Sequence, residues 1–357
     1  MLDIAARISA FETLGRFISQ YQDERPDEDL KKINAYFLEG FRHTITEAGI
    51  YNNWFTKDNV EFALQQWSNA LTQDNLEAWV GRYPKEAFEP KTQKTIAIIM
   101  AGNIPLVGFH DFLTVLLTGN KVLAKPSTDD DKLLPFLAQI LVAIDKRFAE
   151  VINLASGQLK EFDAVIATGS DNSARYFDHY FGKYPNVIRK NRTSVAVLTG
   201  DETPEQLKEL GWDVFRYFGL GCRNVSKLFL PEGYDINNIF KAFFDFSHVV
   251  DNKKYGNNYD YNRAIFMMEQ HKFLENGFVI LKENEALHAP AAVVYHETYS
   301  DLDSLNDKLD GLENQLQCIV SEDKEVNNAI TMGEAQQPNL WDYADKVDTV
   351  SFLQSVQ

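Results

Sequence analysis

A series of short apolar runs, each closed by a polar turn, fills the middle of this chain. They occupy residues 95–100, 121–124, 151–154, 164–167 and 195–198, with helix-length stretches at 107–117, 133–145 and 173–181 between them. Hairpins cannot connect such an alternation, because parallel strands need a crossover of a dozen or more residues. The pattern predicts an α/β fold built on a doubly wound parallel sheet. Ligands of such sheets bind beyond the carboxyl ends of the strands. The turns Gly102-Asn103, Lys125-Pro126-Ser127, Ala155-Ser156-Gly157 and Thr168-Gly169-Ser170 all follow strands, so they gather on that edge.

The flanks are read from the same kind of pattern. Leu2, Ile4, Ile8, Phe11, Leu14, Phe17 and Ile18 recur at roughly helical spacing, as do Ile33, Tyr36, Phe37, Phe41 and Ile45. The polar face of these helices carries acids as well as bases, which favours core packing over a membrane surface. Near Gly200 a second αβ segment begins, with a helix over 204–218, then Cys222, a strand at 227–230 and another at 291–295. The expected division is 1–198 for the N-terminal helices and dinucleotide-binding domain, 199–340 for a catalytic domain, and 341–357 for a C-terminal tail.

A net charge of −17 excludes a general nucleic-acid binder, which needs a basic face. The two cysteines, Cys222 and Cys318, form neither a disulfide framework nor a zinc spacing, and no HExxH pattern occurs among the seven histidines, so no metal is expected. No apolar run is long enough to span a bilayer, and there is no terminal leader pattern. These features predict a reducing, cytoplasmic compartment, where the sequons at Asn191 and Asn224 are not glycosylated.

Chemistry enters with Cys222, in Gly219-Leu220-Gly221-Cys222-Arg223-Asn224-Val225-Ser226, and with Asn103, in Ala101-Gly102-Asn103-Ile104-Pro105-Leu106. A thiol flanked by small residues and an amide delivered by a strand are what thioester chemistry on a carbonyl requires. The thiolate attacks, amide N–H groups hold the oxyanion, and a hydride donor lies opposite. A Gly-flanked Cys is by itself ordinary core filler; the order of the elements makes the case. Lys125 is a fixed cation at a strand end, suited to a ribose hydroxyl or a 2′-phosphate. Ser170 and the amides around Gly169 can approach a phosphate closely. Gly219-x-Gly221-x-x-Asn224 is not a dinucleotide fingerprint, since it lacks the third Gly and opens no βαβ unit.

Together these residues resemble the aldehyde dehydrogenase superfamily over roughly residues 90–350, and within it the LuxC-type long-chain acyl-CoA (fatty acid) reductases. Asn103-Ile104-Pro105-Leu106 is similar to the superfamily's Asn-Phe-Pro-Leu, which implies an oxyanion role for Asn103. Val122-Leu123-Ala124-Lys125-Pro126-Ser127 resembles its Val-Leu-Lys-Pro strand end, implying that Lys125 and Ser127 meet the adenosine ribose. Thr168-Gly169-Ser170 resembles its turn over the cofactor pyrophosphate, and Gly157 ends a neighbouring strand. Gly219-x-x-Cys222 has the nucleophile's spacing, and Cys222-Arg223-Asn224-Val225-Ser226 points to the LuxC-type branch.

The departures are informative too. Hydrolytic members carry a Glu that activates water, and in this chain that segment falls on Val187-Ile188-Arg189-Lys190-Asn191-Arg192, with Arg189 near the Glu's place. No carboxylate occurs between Asp178 and Asp201. Without a base, water attack is slow and an acyl-enzyme persists. The superfamily's ribose-holding Glu falls on Ala286, one after Glu285, so the role does not transfer cleanly to Glu285. Ser127-Thr128 replaces the acidic residue that often follows Lys-Pro, which favours NADPH, with NADH as the alternative. Asp129 to Asp131 would counter that preference if they turned toward the ribose.

The resemblance implies NADPH-dependent reduction of a fatty acyl thioester, acyl-CoA or acyl-protein, to the aldehyde through an acyl-Cys222 intermediate. An acyl transferase or acyl-protein synthetase partner and a homo-oligomer are expected with it. The rivals are a hydrolytic or phosphorylating aldehyde dehydrogenase and a non-catalytic acyl-carrying subunit. Cys318 and His179 are read as structural. Phe240, Phe243, Phe244 and Phe246 are read as core, with an acyl tunnel as the alternative.

Overall fold

The computed structural model describes residues 2–23, 27–169 and 171–356. The chain divides into two compact units, residues 1–190 with 339–357, and residues 191–338.

The first unit opens with four helices, α1 (Ile4–Ser19), α2 (Lys31–Tyr51), α3 (Lys57–Ala70) and α4 (Gln73–Val80). Side-chain oxygens of Asp3, Thr56 and Thr72 cap α1, α3 and α4 by accepting backbone N–H groups of their first turns. Then come β1 (Thr95–Ile99), α5 (Phe109–Leu117), β2 (Lys121–Lys125), α6 (Leu133–Ile144), β3 (Ile152–Leu154), β4 (Ala164–Thr168), α7 (Asp171–Phe181) and β5 (Asn186–Arg189). The five strands are parallel in the order β3-β2-β1-β4-β5. Chain order therefore reverses between β1 and β4, which opens a crevice beyond their carboxyl ends.

Side chains alternate across this sheet. Ile96, Ile98, Val122, Ala124, Ala164 and Ile166 join the core built with α1 to α6. Ala97, Val165 and Ala167 face the other way, toward Phe177 and Phe181 of α7. The N-terminal stripe packs as its spacing predicts, with Phe11, Leu14, Phe17 and Ile18 fully buried; Tyr36 breaks the pattern and is exposed.

The second unit contains β6 (Thr193–Val197), α8 (Pro204–Phe215), β7 (Val225–Pro231), α9 (Asn237–Phe243), α10 (Lys253–Met268), β8 (Leu274–Glu275), β9 (Ile280–Glu283), β10 (Val293–Tyr299), α11 (Leu302–Gly311), β11 (Leu316–Val320) and β12 (Ala329–Ile330). Its sheet runs β12-β11-β6-β7-β10-β9-β8, parallel except for the β8–β9 pair. A capping box at Thr203 and Gln206, with Pro204 in the first turn, starts α8.

Two expectations about domains change. The strand placed last in the first domain is β6, which pairs with β7 and β11, so the division falls at 190/191 rather than 198/199. The stretch 341–357 is no detached tail: its helix α12 (Thr349–Ser355) packs on α5 and buries Val350 and Leu353 in the first unit's core. Among the described residues, no helix is long and apolar enough to cross a membrane, and no cluster of potential metal ligands occurs.

Candidate active site

In the first unit, the turns after β1, β2 and β4 stand at one edge of the sheet. The turn after β1 carries Asn103, which is exposed. It lies directly against the turn after β2. A side chain at Gly102 would bring its Cβ to 2.6 Å from Ser127 Oγ, so that position must be glycine. Ser127 is engaged within its own turn, its Oγ accepting the Asp129 N–H at 3.2 Å. Lys125 ends β2 half-buried, and among the described residues its ammonium meets no carboxylate.

The aspartates beyond it do not turn as a group toward the ribose position. Asp131 pairs with Lys132 at 3.1 Å. Asp130 turns inward, where its Oδ2 accepts the Leu106 N–H at 2.8 Å. Burial pushes the Asp130 carboxyl up to about 6, against the opposing effect of that hydrogen bond.

Beyond β4, Thr168 and Gly169 are half-buried. A Cβ on Gly169 would come within 2.8 Å of Ser173 and 3.0 Å of Phe177, so this glycine is needed for close packing of α7 on the sheet. Ser170 lies outside the described residues. Gly157 is exposed beyond β3, the edge strand, and not beside the β1–β4 crevice. Residues that could hold a dinucleotide at this edge are Lys125, for the ribose or its 2′-phosphate, and the Thr168–Gly169 turn before α7, for the pyrophosphate.

In the second unit, Cys222 is half-buried on the loop between α8 and β7. The helix pattern predicted through Phe218 stops at Phe215. Tyr217 and Phe218 then take the left-handed region, φ 54° and 59°, with Gly219 following at 75°. Successive non-glycine residues there are strained and persist only where their surroundings hold them. Asn224 does so. Its Nδ2 donates to the carbonyls of Arg216 at 2.8 Å and Asp213 at 3.0 Å, capping the end of α8, while its Oδ1 accepts the Gly221 N–H at 2.8 Å. Ser194 of β6 holds the other side, donating to the Cys222 carbonyl at 3.0 Å and accepting the Cys318 N–H at 3.1 Å.

The helix end that precedes Cys222 in the chain is the carboxyl end of α8, whose dipole disfavours a thiolate. Arg223 turns to Cys318 instead, its Nη1 donating to Sγ at 3.2 Å. Cys318 is buried on β11, as expected of a core residue.

The remaining candidates separate cleanly. Glu285 is exposed, and its backbone carbonyl accepts from the fully buried Lys227 at 2.8 Å; Lys227 also pairs with Glu297 at 2.6 Å. His179 is exposed in the last turn of α7 against Tyr180. Phe243 and Phe246 pack on Phe215 in the core, as read from the sequence, while Phe240 is half-buried and Phe244 is exposed. Arg189 belongs to a strand, β5. It is buried and forms a two-point pair with Asp111 on α5, one arm at 2.8 Å, and reaches Thr349 Oγ1 at 3.1 Å.

Asn224, Ser194 and Asp130 are positions that the sequence did not single out for these roles. Asn224 had a local signal, a buried-type amide two residues after the Cys. Ser194 had none, since it acts 28 residues away in the chain.

Comparison with known proteins agrees with this architecture. No curated protein matches the chain. An NAD-dependent aldehyde dehydrogenase from Sinorhizobium meliloti superposes with a TM-score of 0.58 at 13% identity, covering 92% of this chain and 76% of that one. An indole-3-acetaldehyde dehydrogenase of P. syringae, solved with NAD+ and IAA, gives 0.63 at 13% identity, over 92% and 74%. An aldehyde dehydrogenase from Bacillus cereus, solved with NAD+, gives 0.58 at 12% identity, over 91% and 74%. The fold is thus that of the aldehyde dehydrogenases. The family model of the LuxC acyl-CoA reductases matches residues 8–239, more than half of the chain and both of the motifs that carry Asn103 and Cys222. With that match and this fold, the chain belongs to the LuxC acyl-CoA reductase family and is an oxidoreductase.

Proposed function

We propose that the protein reduces a fatty acyl thioester to the aldehyde with NADPH, through an acyl group carried on Cys222. The observation that carries this reading is that Arg189, near the place at which the resemblance puts a hydrolytic Glu, is held in a buried ion pair, while in the other unit Cys222 is half-buried on a clamped loop. In this reading the Cys222 sulfur attacks the thioester carbonyl and the CoA or carrier thiolate leaves with a proton. The Cys222 backbone N–H and, on the resemblance of its turn, the Asn103 amide receive the charge on the carbonyl oxygen. A nicotinamide nucleotide, held by Lys125 and the Thr168–Gly169 turn, would supply the hydride when bound. Collapse of the resulting thiohemiacetal oxyanion releases the aldehyde and restores the thiolate. The acyl donor is acyl-CoA or an acylated protein, and a partner acyl transferase or synthetase suits the second source.

The test is intact-protein mass spectrometry after mixing with a panel of acyl-CoAs in the absence of nucleotide, followed by the nucleotide's absorbance once it is added. A stable acyl adduct that disappears with nucleotide oxidation is expected. Release of free acid without nucleotide would overturn the reading in favour of hydrolysis.

Replacing Asn103 by alanine should remove about 3 kcal/mol of transition-state stabilisation, on the order of a hundredfold in rate, with little loss of nucleotide affinity. Steady-state kinetics with and without the amide check this. A normal rate would show that the turn is only structural.

Nucleotide preference follows from the turn after β2. Among the described residues Lys125 meets no carboxylate there, Asp130 faces inward and Asp131 pairs with Lys132. A charge-assisted contact with a 2′-phosphate is worth roughly 1.5–3 kcal/mol, so NADPH should bind about tenfold or more tighter than NADH. Lys125→Ala should narrow the gap. Equal affinities in titrations of the wild type would mean that Asp129 or its neighbours reach the ribose and that the 2′-phosphate assignment is wrong.

A further inference from the structure

In the first unit, buried side chains bind the turn after β1 to the turn after β2, and the chemistry above uses none of them. Asp130 is 8% exposed, and while its Oδ2 accepts the Leu106 N–H, its Oδ1 is buried with no hydrogen-bond partner. Leu106 belongs to the same turn as Asn103 and takes φ 58°, in the left-handed region that strains a residue with a side chain. Asn52, just past α2 and 4% exposed, donates its Nδ2 to the Asp129 carbonyl at 3.2 Å and reaches the Gly102 carbonyl at 3.5 Å. The close approach of Gly102 to Ser127 completes the lock.

Burying a carboxyl group with one oxygen unsatisfied opposes folding, and among the described residues no cation pairs with Asp130 to offset it. The one hydrogen bond it makes goes to the strained amide of the turn carrying Asn103. Such a group is retained where it holds a geometry that packing alone would not.

We propose that Asp130, supported by Asn52, is the positioning residue that holds the Asn103 turn in its oxyanion-binding conformation and ties it to the Lys125–Thr128 turn. The inference rests on the reading of Asn103 as an oxyanion donor. Asp130 touches neither the substrate nor the nucleotide; it acts through the Leu106 amide.

The test uses the full chain with Asp130→Leu, Asp130→Asn and Asn52→Ala, each also combined with Asn103→Ala. Asp130→Leu should lower kcat roughly tenfold or more, with KM for acyl-CoA changed much less, and should speed hydrogen exchange of the Leu106 amide by a similar factor. Asp130→Asn keeps an acceptor for Leu106 and should restore most of the rate and the slow exchange. In the Asn103→Ala background, Asp130→Leu should cost little further rate, because the group it positions is gone. If Asp130→Leu does not fold, Asn52→Ala carries the same readouts with a smaller effect. Full additivity with Asn103→Ala, unchanged Leu106 exchange, or an Asp130→Asn variant as slow as Asp130→Leu would overturn the proposal. A normal rate for Asn103→Ala alone would instead remove the oxyanion reading, while faster Leu106 exchange in Asp130→Leu would still report the lock.

Discussion

Cys222→Ala should abolish both acyl-adduct formation and aldehyde production, while Cys318→Ala leaves them nearly intact. The chain has only these two thiols, so the mass of the protein after exposure to acyl-CoA reports directly on which one reacts. Cys222 is half-buried on a loop whose backbone is fixed from three sides, by the left-handed run before it, by Asn224 within it and by Ser194 across from it. A loop held in this way presents its nucleophile without further ordering when the substrate arrives. Cys318 is buried in a strand of the same sheet, with an Arg223 N–H on its sulfur and Ser194 on its amide. A buried thiol of this kind is inert packing. A thioester still forming on the Cys222→Ala protein would end the proposed mechanism. Loss of the adduct in Cys318→Ala, with the fold intact, would show that the two thiols act in relay.

The contrast between the two thiols also shows what could be read from the chain. Strands β1, β2 and β4 were legible because each is an apolar run ended by a turn residue, and a parallel sheet buried on both faces needs such runs. The edge strand β5 was not, because Asn186-Val187-Ile188-Arg189 is half polar and its Arg is paired in the interior with Asp111, 78 residues away. β6 was found as a strand but assigned to the wrong unit, since nothing in Thr193–Val197 says which sheet it will join. The helix before Cys222 was carried three residues too far because Tyr217 and Phe218 have no local signal for a left-handed backbone. The candidates Asn103, Lys125, Thr168 and Cys222 were singled out by the motifs around them and by what those motifs resemble. Their supports were not, because Asn52, Asp130 and Ser194 act on backbone groups that only the fold brings to them.

Asp111→Ala should destabilise the first unit by about 3–5 kcal/mol, the range for removing one partner of a buried ion pair. Arg189 and Asp111 are 5% and 3% exposed, so neither charge has water to fall back on. Their two-point pair joins β5 to α5, and the Thr349 hydroxyl adds a contact from α12. Without Asp111, the guanidinium loses its two-point carboxylate partner and must stay buried without that counter-charge or drag β5 outward. For a unit of this size the loss corresponds to a fall in Tm of roughly 10 °C, measurable by thermal or urea unfolding. Replacing both partners, Asp111→Leu with Arg189→Met, should recover much of the stability, because no buried charge is left alone. The same geometry bears on chemistry. Arg189 stands near the position at which the resemblance would place a hydrolytic Glu, so Arg189→Glu is the obvious route to converting a reductase into a hydrolase. It would set a second carboxylate against Asp111 in the interior, and the expected result is unfolding of the first unit rather than release of free acid. A stable Arg189→Glu protein that hydrolyses its acyl adduct would show that the site tolerates a base there, and that the ion pair is not what withholds water chemistry from this enzyme.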